Sequence, residues 1–146
     1  MNMTDVFRSL GREDALRLRR EAESLNGTQI IDREHSAPAF DSLKDYSAWP
    51  VGAPVTDEGQ IWTLIQPHNA SHYAGRPSTL RALWRLAHTT NPEKAKTWVD
   101  PYGTSGLYMT GECYKAKDGM IKRAKQDNLA YDAETYPEAW EDVDDE

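Results

Sequence analysis

The first regular pattern along the chain is helical. Ala15, Leu18, Ala22 and Leu25 fall at i, i+3, i+7 and i+10, one stripe of a 3.6-residue period, with Leu16 off to its side. This predicts a helix over residues 12–26. Glu13 and Asp14 occupy the first turn, where the helix dipole favours negative charge. Asn26-Gly27 offers a closing pair that tolerates the left-handed conformation. Arg17, Arg19, Arg20, Glu21 and Glu23 make most of the remaining surface charged. A stripe this narrow leaves a helix of about 15 residues marginal in isolation. It has to pack, either on the rest of the chain or on copies of itself. Residues 1–10, with Phe7 and Leu10, either extend the helix or form an arm.

The period is lost after Asn26. Residues 28–31 read as a short extended piece, and Ser36-Ala37-Pro38 breaks anything helical, which sets a boundary near residue 36. Beyond it the chain is rich in Trp, Tyr, Gly and Pro and shows short runs of β type. Leu80, Leu83, Trp84 and Ala87 are spaced for a short helical turn or an irregular approach to a last strand.

Two stretches repeat each other. Trp49, Gly52, Val55, Gly59, Ile61 and Trp84 are matched by Tyr108, Gly111, Tyr114, Gly119, Ile121 and Trp140. Ring to Gly is three residues in both, Gly to Val55 or Tyr114 three in both, and second Gly to Ile two in both. The Gly-to-Gly step is seven in one and eight in the other. Phe40 precedes the first unit and Trp98 the second. Glu58-Gly59 and Asp118-Gly119 are read as hairpin turns. In the first unit Ile61, Thr63 and Ile65 should share one strand face, and Trp62 and Leu64 the other. The late Trp84 and Trp140 should each bring a third strand back to the first. The expected fold is therefore mainly β with an N-terminal α-helix, the β part being two small three-stranded antiparallel units. The expected organisation is 1–35 helical, 36–90 first unit, 91–143 second unit, 144–146 acidic tail. Sheets this small depend on rings, so Trp49, Trp62, Trp84, Trp98, Tyr108 and Trp140 are expected in the core.

Composition narrows the function. Of 146 residues, 10% are aromatic, too many for a disordered chain. No apolar run approaches the roughly 18 residues of a membrane span, and no secretory signal opens the chain. The formal charge of −7 is concentrated at one end: residues 126–146 hold nine acids and no Lys or Arg. That argues against nucleic acid as a partner. The single cysteine, Cys113, excludes an intrachain disulfide and reads as a buried thiol. His68 and His72 stand at i, i+4 but in a loop-like stretch without a third ligand, so no metal is expected. His35 and His88 stand apart, and Ser71-His72 has no nucleophile elbow. No phosphate loop or paired-acid site is read, and no enzyme activity or cofactor is expected.

In the second unit Trp98, Tyr108, Gly111-Glu112, Gly119 and Trp140-Glu141, and in the first Phe40, Trp49, Gly52, Val55, Gly59, Trp62 and Trp84, resemble the chitin-binding type 3 carbohydrate-binding modules (families 5 and 12). Glu112 and Ala53 stand where those modules carry Asp. A helix followed by two such units is also similar to small bacteriophage tail and baseplate accessory proteins. The resemblance implies a virion protein, non-enzymatic and structural, with Leu18, Ala22 and Leu25 on an assembly helix. Its implied partners are other virion proteins and copies of itself. The sugar-binding members stack pyranoses on rings just after the hairpin, where this chain has Leu64-Ile65-Gln66-Pro67 and Arg123-Ala124-Lys125-Gln126. The rings left for a glycan platform are Tyr73, Tyr102 and Tyr131. The alternative function is therefore an adsorption module for a bacterial surface polysaccharide or chitin-like polymer.

Overall fold

The computed structural model describes residues 3–143, with side chains from Gly11 onward; the acidic tail 144–146 lies outside the described residues. The chain has an N-terminal helix followed by two sheets, of three and four strands, mostly antiparallel.

Helix α1 runs Met3–Glu21 and is followed by a 3-10 turn at Ala22–Ser24. Leu18 and Ala22 are fully buried, and Leu25 is half-buried. The helix docks on this chain's own first unit. The Arg19 guanidinium sits 3.6 Å from the Trp49 ring centroid. A Cβ at Gly52 would stand 3.1 Å from the Glu23 Cα. Asn26 does not close α1 as its sequence suggests. It opens a second helix, α2 (Gly27–Asp32), through a capping box: its side chain accepts from the Gln29 N–H, and the Gln29 side chain accepts from the Asn26 N–H, both at 2.9 Å. Residues 28–31 are therefore helical rather than extended. Ile30 and Ile31 explain the choice, since the helix turns both into a buried cluster with Ile61 and Ala87.

The first unit comprises β1 (Pro54–Asp57), β2 (Gln60–Leu64) and β3 (Trp84–Leu86), antiparallel in the order β1-β2-β3. Glu58 and Gly59, at φ 54° and 75°, form the two-residue hairpin turn between β1 and β2. The strand at Trp84 pairs with β2, not with the first strand as the sequence reading has it. The reason is that β1's other edge is already taken: Thr56 donates to the Pro38 carbonyl and accepts from the Phe40 N–H, both at 2.8 Å. Before β3 the chain takes a series of turns, the irregular approach rather than a helix.

The second unit has β4 (Lys96–Thr97), β5 (Cys113–Lys115), β6 (Ile121–Ala124) and β7 (Trp140–Asp142), in the order β4-β5-β6-β7. It is four-stranded, not three-stranded. The added strand, β4, runs parallel to β5. It fills the edge that residues 38–40 fill on β1, one bond pair longer.

The two sheets share one set of hydrogen bonds around their turn glycines and last strands. Gly52 N–H donates to Leu64 O and Leu64 N–H to Ala53 O; Gly111 N–H donates to Ala124 O and Ala124 N–H to Glu112 O. Ile65 donates to Leu83 and Lys125 to Ala139, at 2.7 and 2.8 Å. The one-residue difference in Gly spacing lies in the second hairpin. There Ala116 donates to the Met120 carbonyl across Lys117-Asp118-Gly119, a three-residue loop with Gly119 at φ 86°.

The rings correct one pairing. Trp98 stacks on Tyr108 at 5.0 Å and 10°, with Trp140 edge-on to both. The same trio in the first unit is Phe40 stacked on Tyr46 at 6.0 Å and 10°, with Trp84 edge-on to both. Tyr46, not Trp49, is thus the spatial counterpart of Tyr108. Ser47-Ala48-Trp49 are extra residues, and Trp49 is the ring that receives α1.

Gly52 joins these features. It sits at φ 92° in the turn before β1 and touches the backbone of α1's exit. Gly52→Ala should cost about 2 kcal/mol, the left-handed penalty plus the displaced helix end. Gly59→Ala, at φ 75° with nothing within 4 Å, should cost less. Urea midpoints of the two variants check this; equal losses would show that the helix contact contributes nothing.

Candidate functional site

Two cavities lie on this frame. The larger, about 680 Å³, sits at the junction of the α1–α2 corner, the first sheet and the loop through Gly106. Arg81 and His88 build its inner wall and bind the loop. Arg81 donates to the carbonyls of Asp100 and Ser105, at 3.0 and 3.4 Å. His88 Nε2 lies 2.9 Å from the Gly106 carbonyl, so that nitrogen carries the proton. The His88 ring stacks on Tyr108 at 3.7 Å. Burial lowers its pKa to about 4, so the ring is neutral near neutral pH. Glu112, on the same wall, accepts from the Met109 N–H, and burial holds its carboxyl above the usual range. The junction is a joint in which Arg81, His88 and Glu112 each bind backbone, while Arg81 Nε and Ser105 Oγ are buried without a partner among the described residues.

The second cavity, about 470 Å³, belongs to the second unit alone. Trp98, Tyr114, Ala116 and Ala133 form its apolar part. The partly buried flank of the second ring cluster consists of Trp98, Ala116 and Ala133, and all three line the cavity. One face of Trp98 is covered by Tyr108, so the cavity receives the rest of the ring. Around it stand four carboxylates (Asp100, Asp118, Asp132, Glu134) and three lysines (Lys115, Lys117, Lys122). Three of the carboxylates are held by short local hydrogen bonds. Asp100 Oδ1 accepts from Trp98 Nε1 at 2.7 Å, Asp118 Oδ1 from Met120 N–H at 2.9 Å, and Asp132 Oδ1 from Thr135 N–H at 3.0 Å. Each keeps an Oδ2 with no hydrogen bond among the described residues. Lys122 pairs with Asp142, which raises its pKa. Both signs of charge thus surround an aromatic wall, a combination that suits a small ligand with an apolar face and many hydroxyls.

The three tyrosines expected as a glycan platform are exposed, each in a different loop. Tyr73, 45% exposed, leans edge-on against His68 at 5.4 Å. Tyr102, 69% exposed, sits in a tight turn closed by two backbone bonds with Ser105. Tyr131, 63% exposed, gives its carbonyl to Trp140 Nε1. None of the three lines either cavity. Trp49, Trp62, Trp84, Tyr108 and Trp140 are buried, whereas Trp98 is half-buried. Sequence reasoning placed Trp98 in the core and missed Tyr114, Asp100 and Lys122 as wall residues. The available signal was Lys122, which occupies Trp62's place in the repeat.

Other chemistry is sparse. His68 is buried with Nδ1 at 2.8 Å from the Gln66 carbonyl, while His72 is exposed. No group of three His, Cys, Asp or Glu side chains suited to a metal ion occurs among the described residues. Cys113 is buried, and burial pushes its thiol pKa up. Among the described residues no helix is long and apolar enough to cross a membrane. No family model matches the chain, and no curated protein matches it.

Proposed function

We propose that this chain is a non-enzymatic structural component of a bacteriophage virion, a tail, fibre or baseplate accessory built from two carbohydrate-module-like units. The observation that carries the structural part is how α1 is used. Leu18 near its end and Ala22 just beyond it are buried where the chain meets the first unit, while residues 11–14, 16 and 17 stay exposed on the same helix. A helix seated at one end and free along its next turns is a handle, available to another virion protein or a second copy. The clustered rings of both units face inward, which makes a stiff body on that handle. The order of helix and two units, similar to small tail accessory proteins, supports a phage particle as the setting. Neither nucleic acid nor membrane enters this reading.

The test is to purify particles on a density gradient from cells that encode the chain and probe them with an antibody against it. The expected result is co-sedimentation at fixed stoichiometry and labelling at the tail. Recovery solely from the particle-free fraction would overturn the reading.

A second reading is favoured by one observation, the ring-walled cavity of the second unit. In it the chain is a glycan-binding adsorption module for bacterial surface polysaccharide or a chitin-like polymer. Full-length protein should then be retained on purified cell walls or chitin. If the exposed tyrosines are the platform, a Tyr73, Tyr102, Tyr131→Ala triple variant of unchanged fold should lose that retention.

A further inference from the structure

The repeat explains why the second unit has a cavity. Val55 stands directly opposite Trp62 in the first sheet, and Tyr114 directly opposite Lys122 in the second. Residues paired in this way share a sheet face. In the first unit the indole of Trp62, 1% exposed, closes that face. It reaches back along β1, where its Nε1 donates to the Asp57 carbonyl at 3.3 Å. The corresponding stretch of the second unit, Lys115 to Asp118, lines the cavity together with Lys122. Exchanging Trp for Lys at this register removes a ring and leaves its space open. The stacked trio itself is kept, Trp98, Tyr108 and Trp140 standing for Phe40, Tyr46 and Trp84.

We propose that this cavity binds one or two uncharged pyranose residues, a chain end or side branch rather than the flat face of a polymer. The proposal rests on the glycan-binding reading and moves its site away from the three tyrosines. Shape sets the first half of the claim: a half-open recess of about 470 Å³ admits a short saccharide end-on, whereas an extended polymer face needs an open row of rings. Charge sets the second half. Four carboxylates oppose an anionic ligand, Lys115 and Lys117 temper their pull on a cationic one (Lys122 is held by Asp142), and together they supply acceptors and donors for neutral hydroxyls. The carboxylates are oriented before any ligand arrives, since Asp100, Asp118 and Asp132 are each fixed by one oxygen and offer the other. Trp98 is fixed by the same device, its Nε1–H held by Asp100 and one face by Tyr108. A ring locked in this way loses little freedom on binding.

The experiment is an NMR titration of the full-length chain with N,N′-diacetylchitobiose and cellobiose, with glucosamine and glucuronate as charged comparisons. The neutral disaccharides should shift the Trp98 indole N–H. That shift should vanish in Lys122→Trp, which rebuilds the first unit's closed face, and survive in Lys122→Met, which removes the charge without filling the space. Ala133→Leu fills the recess from beside the Tyr114 hydroxyl, to which the Ala133 N–H donates, and should also abolish the shift, so the test stands if Lys122→Trp fails to fold. No shift with either neutral sugar, an unchanged shift in the filled variants, or stronger binding of a charged sugar would each overturn the proposal. Retention on cell walls separates the two readings. Filled variants that are still retained like the parent would overturn the cavity site alone, and no retention of the parent would overturn both.

Discussion

Trp84→Ala should lower stability by about 3–5 kcal/mol, a large share of the roughly 5–15 kcal/mol typical of a small folded chain. Trp84 is fully buried and meets Phe40, Tyr46 and His68 edge-on, with centroids 5.2–5.8 Å away. Removing the indole leaves three rings facing a void that a short sheet cannot collapse to fill. The indole N–H is a separate matter, and it differs between the repeats. Trp140 Nε1 donates to the Tyr131 carbonyl at 2.9 Å, whereas Trp84 Nε1 is buried with no acceptor. A buried unmade donor costs about 1–3 kcal/mol, so Trp84→Phe regains part of what the smaller ring loses. Trp140→Phe forfeits a made bond as well. Urea unfolding at constant m-value should rank Trp84→Phe as clearly milder than Trp140→Phe. Equal losses would show that the orphaned donor carries no penalty.

Acid should unfold the joint between the units through His88. Its folded pKa is about 4 against an ordinary 6.5, with burial as the main cause and the nearby Arg81 charge adding to it. The hydrogen bond to the Gly106 carbonyl acts the other way. In that interval the unfolded chain binds the proton and the folded chain does not, so stability falls as pH falls. The contribution is fully present above pH 6.5 and is lost as pH drops through about 4; its size is about 3 kcal/mol. Glu112 works against it. Its carboxyl is raised by burial, so its contribution is present at low pH and lost as pH rises through the folded value. The expected result is a net loss of stability between pH 6.5 and 4 that is flattened in His88→Gln and steepened in Glu112→Gln. A His88→Gln variant with the parent's slope would remove His88 from the account.

The helical stripe and the repeated aromatic–x–x–Gly step were legible because each reports a periodicity imposed by backbone geometry. The alternation in β2 was equally plain, with Trp62 and Leu64 in the ring cluster and Ile61 in the cluster under α2. Three features of the fold were not legible. Asn26-Gly27 satisfies the rules for ending one helix and for starting another, and only burial of Ile30 and Ile31 decides between them. The edge pairings at residues 38–40 and at β4 are backbone bonds with little side-chain signature. The insertion Ser47-Ala48-Trp49 put a tryptophan at the expected distance from Gly52 and hid Tyr46, whose place in the stack is set by space rather than spacing. The cavity was hidden for a related reason. A lysine in a strand reads as an outward residue, and its meaning appears only beside the tryptophan it replaces.

Bonds that cross between the segments bear on how such a chain changes over time. Gln60 of the first sheet donates to the Thr97 carbonyl, Lys94 reaches the Asp32 carbonyl, Lys96 pairs with Glu34, and Cys113 donates to the Thr89 carbonyl. Ile30 and Ile31 back the first sheet from a helix that precedes it. A duplication ordinarily yields parts that can be shuffled, lost or multiplied one at a time. Here each copy has become part of the other's wall, so excising either would strip apolar surface from what remains. The two copies therefore stand or fall together, and the difference between Trp62 and Lys122 lies away from the bonds that join them.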